Sequence, residues 1–371
     1  MNRRTFMTRG AGALLGLAGG GTLWRALAQE GNQAAGMINA NTQRAIDGSL
    51  AWLAQQQHLQ GADAGAWGTG QYRGNVAVTS LAGLALMAGG HEPGRGRFGD
   101  HVTRAVRYVI SCEEQGNNAG FLNSRQAAFH GPMYGHGFAT LFLAEVYGMI
   151  NEPALRDQLR ATLGRAVALI IRSQNREGGW RYTPGSNDAD LSVTICQIMA
   201  LRAARNAGIT VPRSTADKCT QYVKNCQDNA TGGFRYQTFG GGPGFARTAA
   251  GVVALNSAGI YLESPKDSES VKKGLDYLTR FRPGAGGGGV FGNAEVQMHY
   301  YYGHYYAVQA MWIAGGDYWR RWYPAIRDEL LQNRNQQTGS WQQGLMCPHY
   351  CTAMALIILQ VPNNYLPILQ R

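Results

Sequence analysis

Residues 178–201 read GGWRYTPGSNDADLSVTICQIMAL. Gly178-Gly179 allows a tight turn, and Trp180 supplies a large ring to anchor it. From Asp190 the chain turns apolar: Leu191, Ile195, Ile198 and Met199 follow helical spacing, which predicts a helix over Asp190–Asn206. Upstream, Leu155–Gln174 keeps the same period with charged positions interleaved, as expected of a helix with one face in water. The unit is therefore charged helix, Gly-aromatic turn, apolar helix.

The same unit recurs along the chain. Gly-aromatic turns stand at Gly65-Ala66-Trp67-Gly68, Gly120-Phe121, Gly178-Gly179-Trp180, Gly232-Gly233-Phe234, Val290-Phe291-Gly292 and Gly339-Ser340-Trp341. Charged amphipathic segments precede them: Thr42–Gln57, His101–Glu114, Leu155–Gln174, Thr215–Gln227, Ser268–Phe281 and Trp319–Asn335. Apolar, Ala-rich segments follow: Asn75–Ala88, Tyr134–Gly148, Asp190–Asn206, Phe245–Gly259, Tyr301–Ala314 and His349–Leu359. No alternating strand pattern intervenes. Six hairpins, each with one charged and one more apolar helix, predict an all-α fold, an α/α toroid of twelve helices in two concentric rings, the apolar ones inside. The extended tail Asn363–Pro367 is expected to close the ring against the first repeat.

The flanks and composition bound the rest. Asn2-Arg3-Arg4-Thr5-Phe6-Met7, the apolar run Ala11–Leu23 and Ala26-Leu27-Ala28 form a twin-arginine signal pattern over residues 1–28. Residues 29–40 are expected as a flexible leader and 41–371 as one toroid domain. Export to the periplasm or cell envelope is expected, soluble after cleavage. Removing Arg3, Arg4, Arg9 and Arg25 from 34 basic residues leaves 30 against 23 acidic ones, a net +7. Scattered arginines and no recognisable motif argue against a nucleic-acid partner. The six cysteines, at 112, 196, 219, 226, 347 and 351, form no CxxC and read as buried small apolar residues rather than a disulfide framework. The glycine runs 240–244 and 284–289 lack the lysine and the preceding strand of a phosphate cradle.

The turns GGWRYTP at Gly178, GGFRYQT at Gly232 and GSWQQG at Gly339, with DADLSVTICQIMAL from Asp188, resemble the Gln-Trp-type repeats of the terpenoid cyclase and protein prenyltransferase superfamily. The resemblance spans the chain after residue 28. It implies the α/α toroid, with the active or binding site in its central cavity. Asp188-Ala189-Asp190-Leu191 is similar to the Asp-x-Asp-Asp acid motif of squalene-type cyclases, with Leu191 in place of one acid. The resemblance makes Asp188 and Asp190 candidate catalytic acids; Asp190 equally suits an N-cap for the helix from Leu191. Tyr302-Gly303-His304 and Pro348-His349-Tyr350-Cys351 are similar to two zinc-ligand motifs of prenyltransferases, with Tyr302 and His304 replacing the Asp and Cys.

Stacking the apolar helices on Thr79, Ala139, Thr194, Thr248, Ala307 and Thr352 puts His136, His304 and His349 at one level. His304, His349, Cys347 and Cys351 are then a candidate zinc set. Tyr301, Tyr302, Tyr305 and Tyr350, with His136 and Arg247, are expected to line the cavity. Three functions follow. The first is binding or transformation of an apolar isoprenoid-like ligand, with His304 and His349 assisting the acids. The second is a polysaccharide lyase on an acidic glycan, with Tyr301 or Tyr305 and His304 or His136 moving protons and Arg247 and Asn75 neutralising a uronate. The third is an envelope binding protein without catalysis.

Overall fold

The computed structural model describes Ala34 and residues 36–124, 131–259, 265–284 and 294–370. The signal pattern at 1–28, the turn at Val290–Gly292 and most of the 284–289 glycine run lie outside the described residues. Thirteen α-helices and no strand occur among the described residues. In chain order they are α1 (Ala40–Gln55), α2 (Val76–Ala88), α3 (Gly99–Ser111), α4 (Pro132–Tyr147), α5 (Pro153–Arg172), α6 (Leu191–Asn206) and α7 (Arg213–Asn225). There follow α8 (Phe245–Ser257), α9 (Pro265–Thr279), the short α10 (Ala294–Met298), α11 (Tyr300–Ala314), α12 (Gly316–Asn333) and α13 (Pro348–Gln360). Met37 and Asn39, in the segment expected as leader, belong to the ring: Arg327 Nη1 donates to Met37 O at 3.0 Å, and Asn39 caps α1.

Helices α2, α4, α6, α8, α11 and α13 pack each on the next, and α13 packs back on α2. That is a closed inner ring, and the α/α toroid expected from the repeats stands. Inner helices are mostly apolar because both sides are covered; in α2 the buried run is unbroken from Val78 to Ala88. Outer helices bury one stripe, as α3 does with Val102, Ala105, Val106 and Val109.

The repeated turn is held by a repeated set of bonds. The backbone N–H groups of Trp67, Trp180, Phe234 and Trp341 donate to Thr79, Thr194, Thr248 and Thr352 Oγ1 at 2.9–3.1 Å. The indole N–H of Trp67, Trp180 and Trp341 donates to Leu53, Ile170 and Leu330 O at 2.7–2.8 Å. These carbonyls end outer helices, where helical partners run out. Gln57, Gln174 and Gln227 each donate through Nε2 to the turn carbonyl of Gly65, Gly178 or Gly232 and to His101, Thr215 or Ser270 O of the next outer helix. One amide thus ties each of these three repeats to its successor. Gly178 is required twice over: its φ is +96°, and a Cβ would lie 2.3 Å from Lys218 O.

The sixth repeat meets the first through Ser49 Oγ, which donates to Gly339 O, and Arg334 Nε, which donates to Ser49 Oγ at 2.9 Å. The tail after α13 crosses the C-terminal ends of the inner helices. Asn363 Nδ2 donates to Ala88 O, Ile368 N to Glu145 Oε2, and Trp312 Nε1 to Leu369 O, at 2.9–3.1 Å. That end of the toroid is closed and the opposite end is open.

Candidate functional site

The open end holds a cavity of about 830 Å³ at the N-termini of the inner helices. The residue two places before each Thr anchor lines it: Ala77 on α2, Ser192 on α6, Ala246 on α8 and Tyr350 on α13. Tyr134 and Tyr302 line it on α4 and α11, which puts His136 and His304 at the anchor position of those repeats. The bonding agrees for His136, whose Nδ1 accepts from Leu122 N at 3.1 Å, fourteen residues back, as Thr194 is from Trp180. The anchor is therefore any side chain with a buried acceptor, Thr or His. Stacking on small residues displaces repeats two and five by three places, and the three histidines do not share a level.

Each histidine has packed surroundings. His136 is fully buried, and that burial lowers its pKa to about 3. His304 lies among Phe245, Tyr300 and Trp322, its pKa lowered by burial to about 3. His349 Nδ1 accepts from Gly68 N at 3.0 Å beside Trp52; burial lowers its pKa to about 4. All three are neutral rings near pH 7, and none lines the cavity. All six cysteines are buried and none is in a disulfide. Cys347 lines the cavity, while burial pushes the Cys351 thiol up to about 12. Among the described residues no three of His, Cys, Asp and Glu converge in a way that could hold a metal ion.

Of the aromatic candidates, Tyr302 and Tyr350 line the cavity, as does Arg247. Tyr301 packs on Tyr300, and Tyr305 on Tyr306 and on the lining residue Phe138; neither Tyr301 nor Tyr305 is itself on the wall. Asp190 Oδ1 accepts from Val193 N at 2.9 Å, so it caps α6. Its carboxylate is fully buried and 3.4 Å from Arg181, which also meets the half-exposed Asp188 at 3.4 Å. Burial raises the Asp190 pKa, while bonds from Ser192 and Val193 and the Arg181 charge oppose the rise.

The sequence reading missed Tyr72, Tyr134, Tyr182, Tyr236, Asn123, Ser192 and His299, all on the cavity wall. A signal existed: Tyr182 and Tyr236 stand two residues after Trp180 and Phe234. With Tyr302 and Tyr350 they complete a wall of six tyrosines. Arg181 stacks over Tyr182 and Tyr236, centroids 4.5 and 5.5 Å away, and the two phenols are hydrogen-bonded at 2.5 Å. Arg247 is the one Arg or Lys among the described lining residues, and no carboxylate is among them. His299 stands exposed on the rim, its pKa lowered first by desolvation and then by Arg247. This wall can stack sugar faces and donate many hydrogen bonds, and it carries one guanidinium.

Solved structures share the architecture. The GH76A α-1,6-mannanase of Salegentibacter sp. HEL1_6 matches with a TM-score of 0.61 and 9% identity, over 87% of this chain and 99% of that one. A GH76 α-mannanase of Bacteroides thetaiotaomicron gives 0.58 and 11%, over 91% and 98%. A reducing end xylose-releasing exo-oligoxylanase gives 0.52 and 12%, over 91% and 95%. The likeness shows the fold. No protein-family model matches the sequence, and no curated protein does.

These matches correct the isoprenoid expectation. The solved toroids that match 87–91% of this chain are carbohydrate enzymes, one of them solved with α-1,6-mannotriose as an inactive variant. The toroid stands; membership of the cyclase and prenyltransferase superfamily does not follow from it. The physical reason lies in the turn. Gly-aromatic sequences encode the bonds that close a helical hairpin, and those bonds are indifferent to what fills the ring.

Proposed function

We propose that the central cavity binds a segment of acidic polysaccharide and cleaves it by β-elimination. The observation that carries this reading is the cavity wall itself: tyrosine hydroxyls, Asn75, Asn123 and His299 around Arg247, with no carboxylate among the described lining residues. Hydrolysis of a glycosidic bond ordinarily uses two carboxyl groups flanking it. The Salegentibacter mannanase is inactive when two adjacent aspartates are replaced, and this chain contains no Asp-Asp pair.

Elimination needs a different set of groups. The Arg247 guanidinium would hold a uronate carboxylate and spread the charge that develops when C5 loses its proton, with the Asn75 amide a donor to the sugar from the wall of the first repeat. Asn75 caps α2 through Oδ1, which leaves Nδ2 as the donor. Tyrosine hydroxyls and His299 are the groups from which the proton carrier is drawn. The C4–O bond then breaks as the C4=C5 double bond forms. Incubation with alginate, polygalacturonate, hyaluronan and heparan-type chains should give the absorbance of an unsaturated uronate, and silence across the panel would reject the reading. Zinc enters no step.

An envelope location suits such a substrate. The Arg3-Arg4 pattern supports export of the folded chain by the twin-arginine route. Replacing both arginines by lysine should leave the protein in the cytoplasm, and unchanged export would count against that route.

A further inference from the structure

One buried carboxylate reaches the cavity through hydroxyl groups. Ser192 Oγ donates to Asp190 Oδ1 at 2.5 Å, and the Tyr134 hydroxyl is bonded to the same Ser192 Oγ. Tyr134 and Ser192 line the cavity; Asp190 sits behind them. The bond directions follow from the available protons. An ionised carboxylate only accepts, so the single Ser192 proton is committed to Asp190, and Tyr134 must donate to Ser192. The Tyr134 oxygen then keeps lone pairs for a third partner. Once Asp190 is protonated the chain can reverse, from Asp190 to Ser192 to Tyr134, and the phenol becomes a donor to that partner.

We infer that Tyr134, Ser192 and Asp190 form a proton relay that takes the C5 proton of a bound uronate and returns it to the departing oxygen. The inference rests on the acidic-glycan reading. In the first half the C5–H bond breaks and its proton bonds to the Tyr134 oxygen. The phenolic proton passes to Ser192, and the Ser192 proton to Asp190. The electron pair left on C5 spreads into the carboxylate held by Arg247. In the second half the C4–O bond breaks with its pair on O4 as C4=C5 forms. Tyr134 donates to O4, Ser192 to Tyr134, and Asp190 to Ser192. The C5 proton is replaced on O4, and Asp190 ends ionised as it began. Tyr134 is the catalytic residue; Ser192 and Asp190 act through it.

The surroundings of Asp190 suit the role. Burial makes it a stronger base than an exposed aspartate, although Arg181 opposes the rise. Asp188 bears on the same Arg181 from outside the hydroxyl chain. The other titratable groups that face Asp190 are Tyr236 from the fourth turn, Tyr222 on α7 and Cys226 at its C-cap, Cys196 on α6, Tyr134 on α4 and Tyr302 on α11. Burial raises every one of them, so they stay neutral while Asp190 titrates. The relay also gives a buried carboxylate a route to a cavity whose described wall has none.

The test compares the full chain with Ser192→Ala, Ser192→Thr and Tyr134→Phe on whichever polysaccharide of the panel the wild type cleaves. Ser192→Ala should lower kcat about 100-fold with KM within about twofold, and Ser192→Thr should recover most of the loss. Wild-type kcat/KM should fall on the acid side as Asp190 protonates, and the residual activity of Ser192→Ala should lack that limb. A second readout needs no turnover: the infrared carbonyl band of Asp190, identified by its loss in Asp190→Asn, should titrate at higher pH in Ser192→Ala. An active wild type with an unaffected Ser192→Ala overturns the relay and leaves the glycan reading intact. An Asp190 titration that does not move in Ser192→Ala overturns it whatever the turnover. A wild type silent on every polysaccharide overturns the glycan reading, and the relay as a step of elimination with it.

Discussion

His136 Nδ1 accepts the backbone N–H of Leu122 at 3.1 Å in the position where other repeats use a threonine hydroxyl. A histidine in that role must remain unprotonated on Nδ1. His136 and His304 have pKa values lowered by burial to about 3, and His349 to about 4, from an ordinary 6.5. The unfolded chain takes up these protons below pH 6.5 and the native chain does not. Stability is therefore full above that value and falls as pH drops, by about 1.4 kcal/mol per pH unit for each ring. Urea melts between pH 7 and 4.5 should show the slope. In His136→Thr, which restores the common anchor, it should flatten by about a third.

The threonine anchors can be tested by a near-isosteric change. Thr194→Val keeps the shape but leaves the buried Trp180 N–H without its acceptor at 3.1 Å. An unsatisfied buried donor costs about 1–3 kcal/mol. Thr194→Ser, which retains the oxygen, should recover most of that loss. Equal stabilities for Val and Ser would mean that the turn is held by the Trp180 indole and packing alone.

The fold was legible because the turn chemistry is local. Each Gly-aromatic turn and its following helix lie within about thirty residues, and the mostly apolar character of α2, α4 and α6 fits a covered ring. The site was legible in part. Arg247, Tyr302 and Tyr350 were found, because each stands at the start of an apolar helix. Tyr134 was missed, because the register of its helix was set on a small residue, whereas the structure sets it on an acceptor; Ser192 stands in a correctly registered repeat and was passed over as a small helix-start residue. One misplaced anchor, Ala139 for His136, rotates α4 by three residues and replaces Tyr134 with a buried neighbour. Asp190 was open between acid and cap, and only the distance to Val193 N settles that it caps. What fills the ring was not legible, since the anchor bonds of the toroid do not contact the cavity.

The tail that closes the lower end should matter for stability more than for chemistry. Leu366, Ile368 and Leu369 are buried there, and Trp312 Nε1 loses its acceptor without Leu369 O. Truncation after Asn363 removes three apolar anchors, each worth about 1.5–3 kcal/mol when fully buried, and exposes the ends of α2, α4 and α11. A clear drop in the thermal midpoint is expected, while glycan binding at the opposite end, measured well below that midpoint, should persist. Simultaneous loss of binding in a chain that remains folded would show that the two ends are coupled.

On the acidic-glycan reading, Arg247 is the residue that would select anionic sugars. A charge-assisted hydrogen bond contributes about 1.5–3 kcal/mol, so Arg247→Ala should weaken binding of a uronate oligosaccharide by about 10- to 100-fold. Arg247→Lys keeps the charge but not the planar fork, and should fall between the two. A neutral oligosaccharide of equal length depends on tyrosine stacking and hydroxyl bonds, and its affinity should barely change. Calorimetric titration of both ligands against the three chains separates these cases. The uronate affinity of the wild type should also fall with added salt, less steeply than for an exposed ion pair, because the cavity shields its occupant. If the alanine variant loses both ligands equally while its melting curve is unchanged, Arg247 shapes the cavity rather than reading charge, and the acidic substrate would have to be given up.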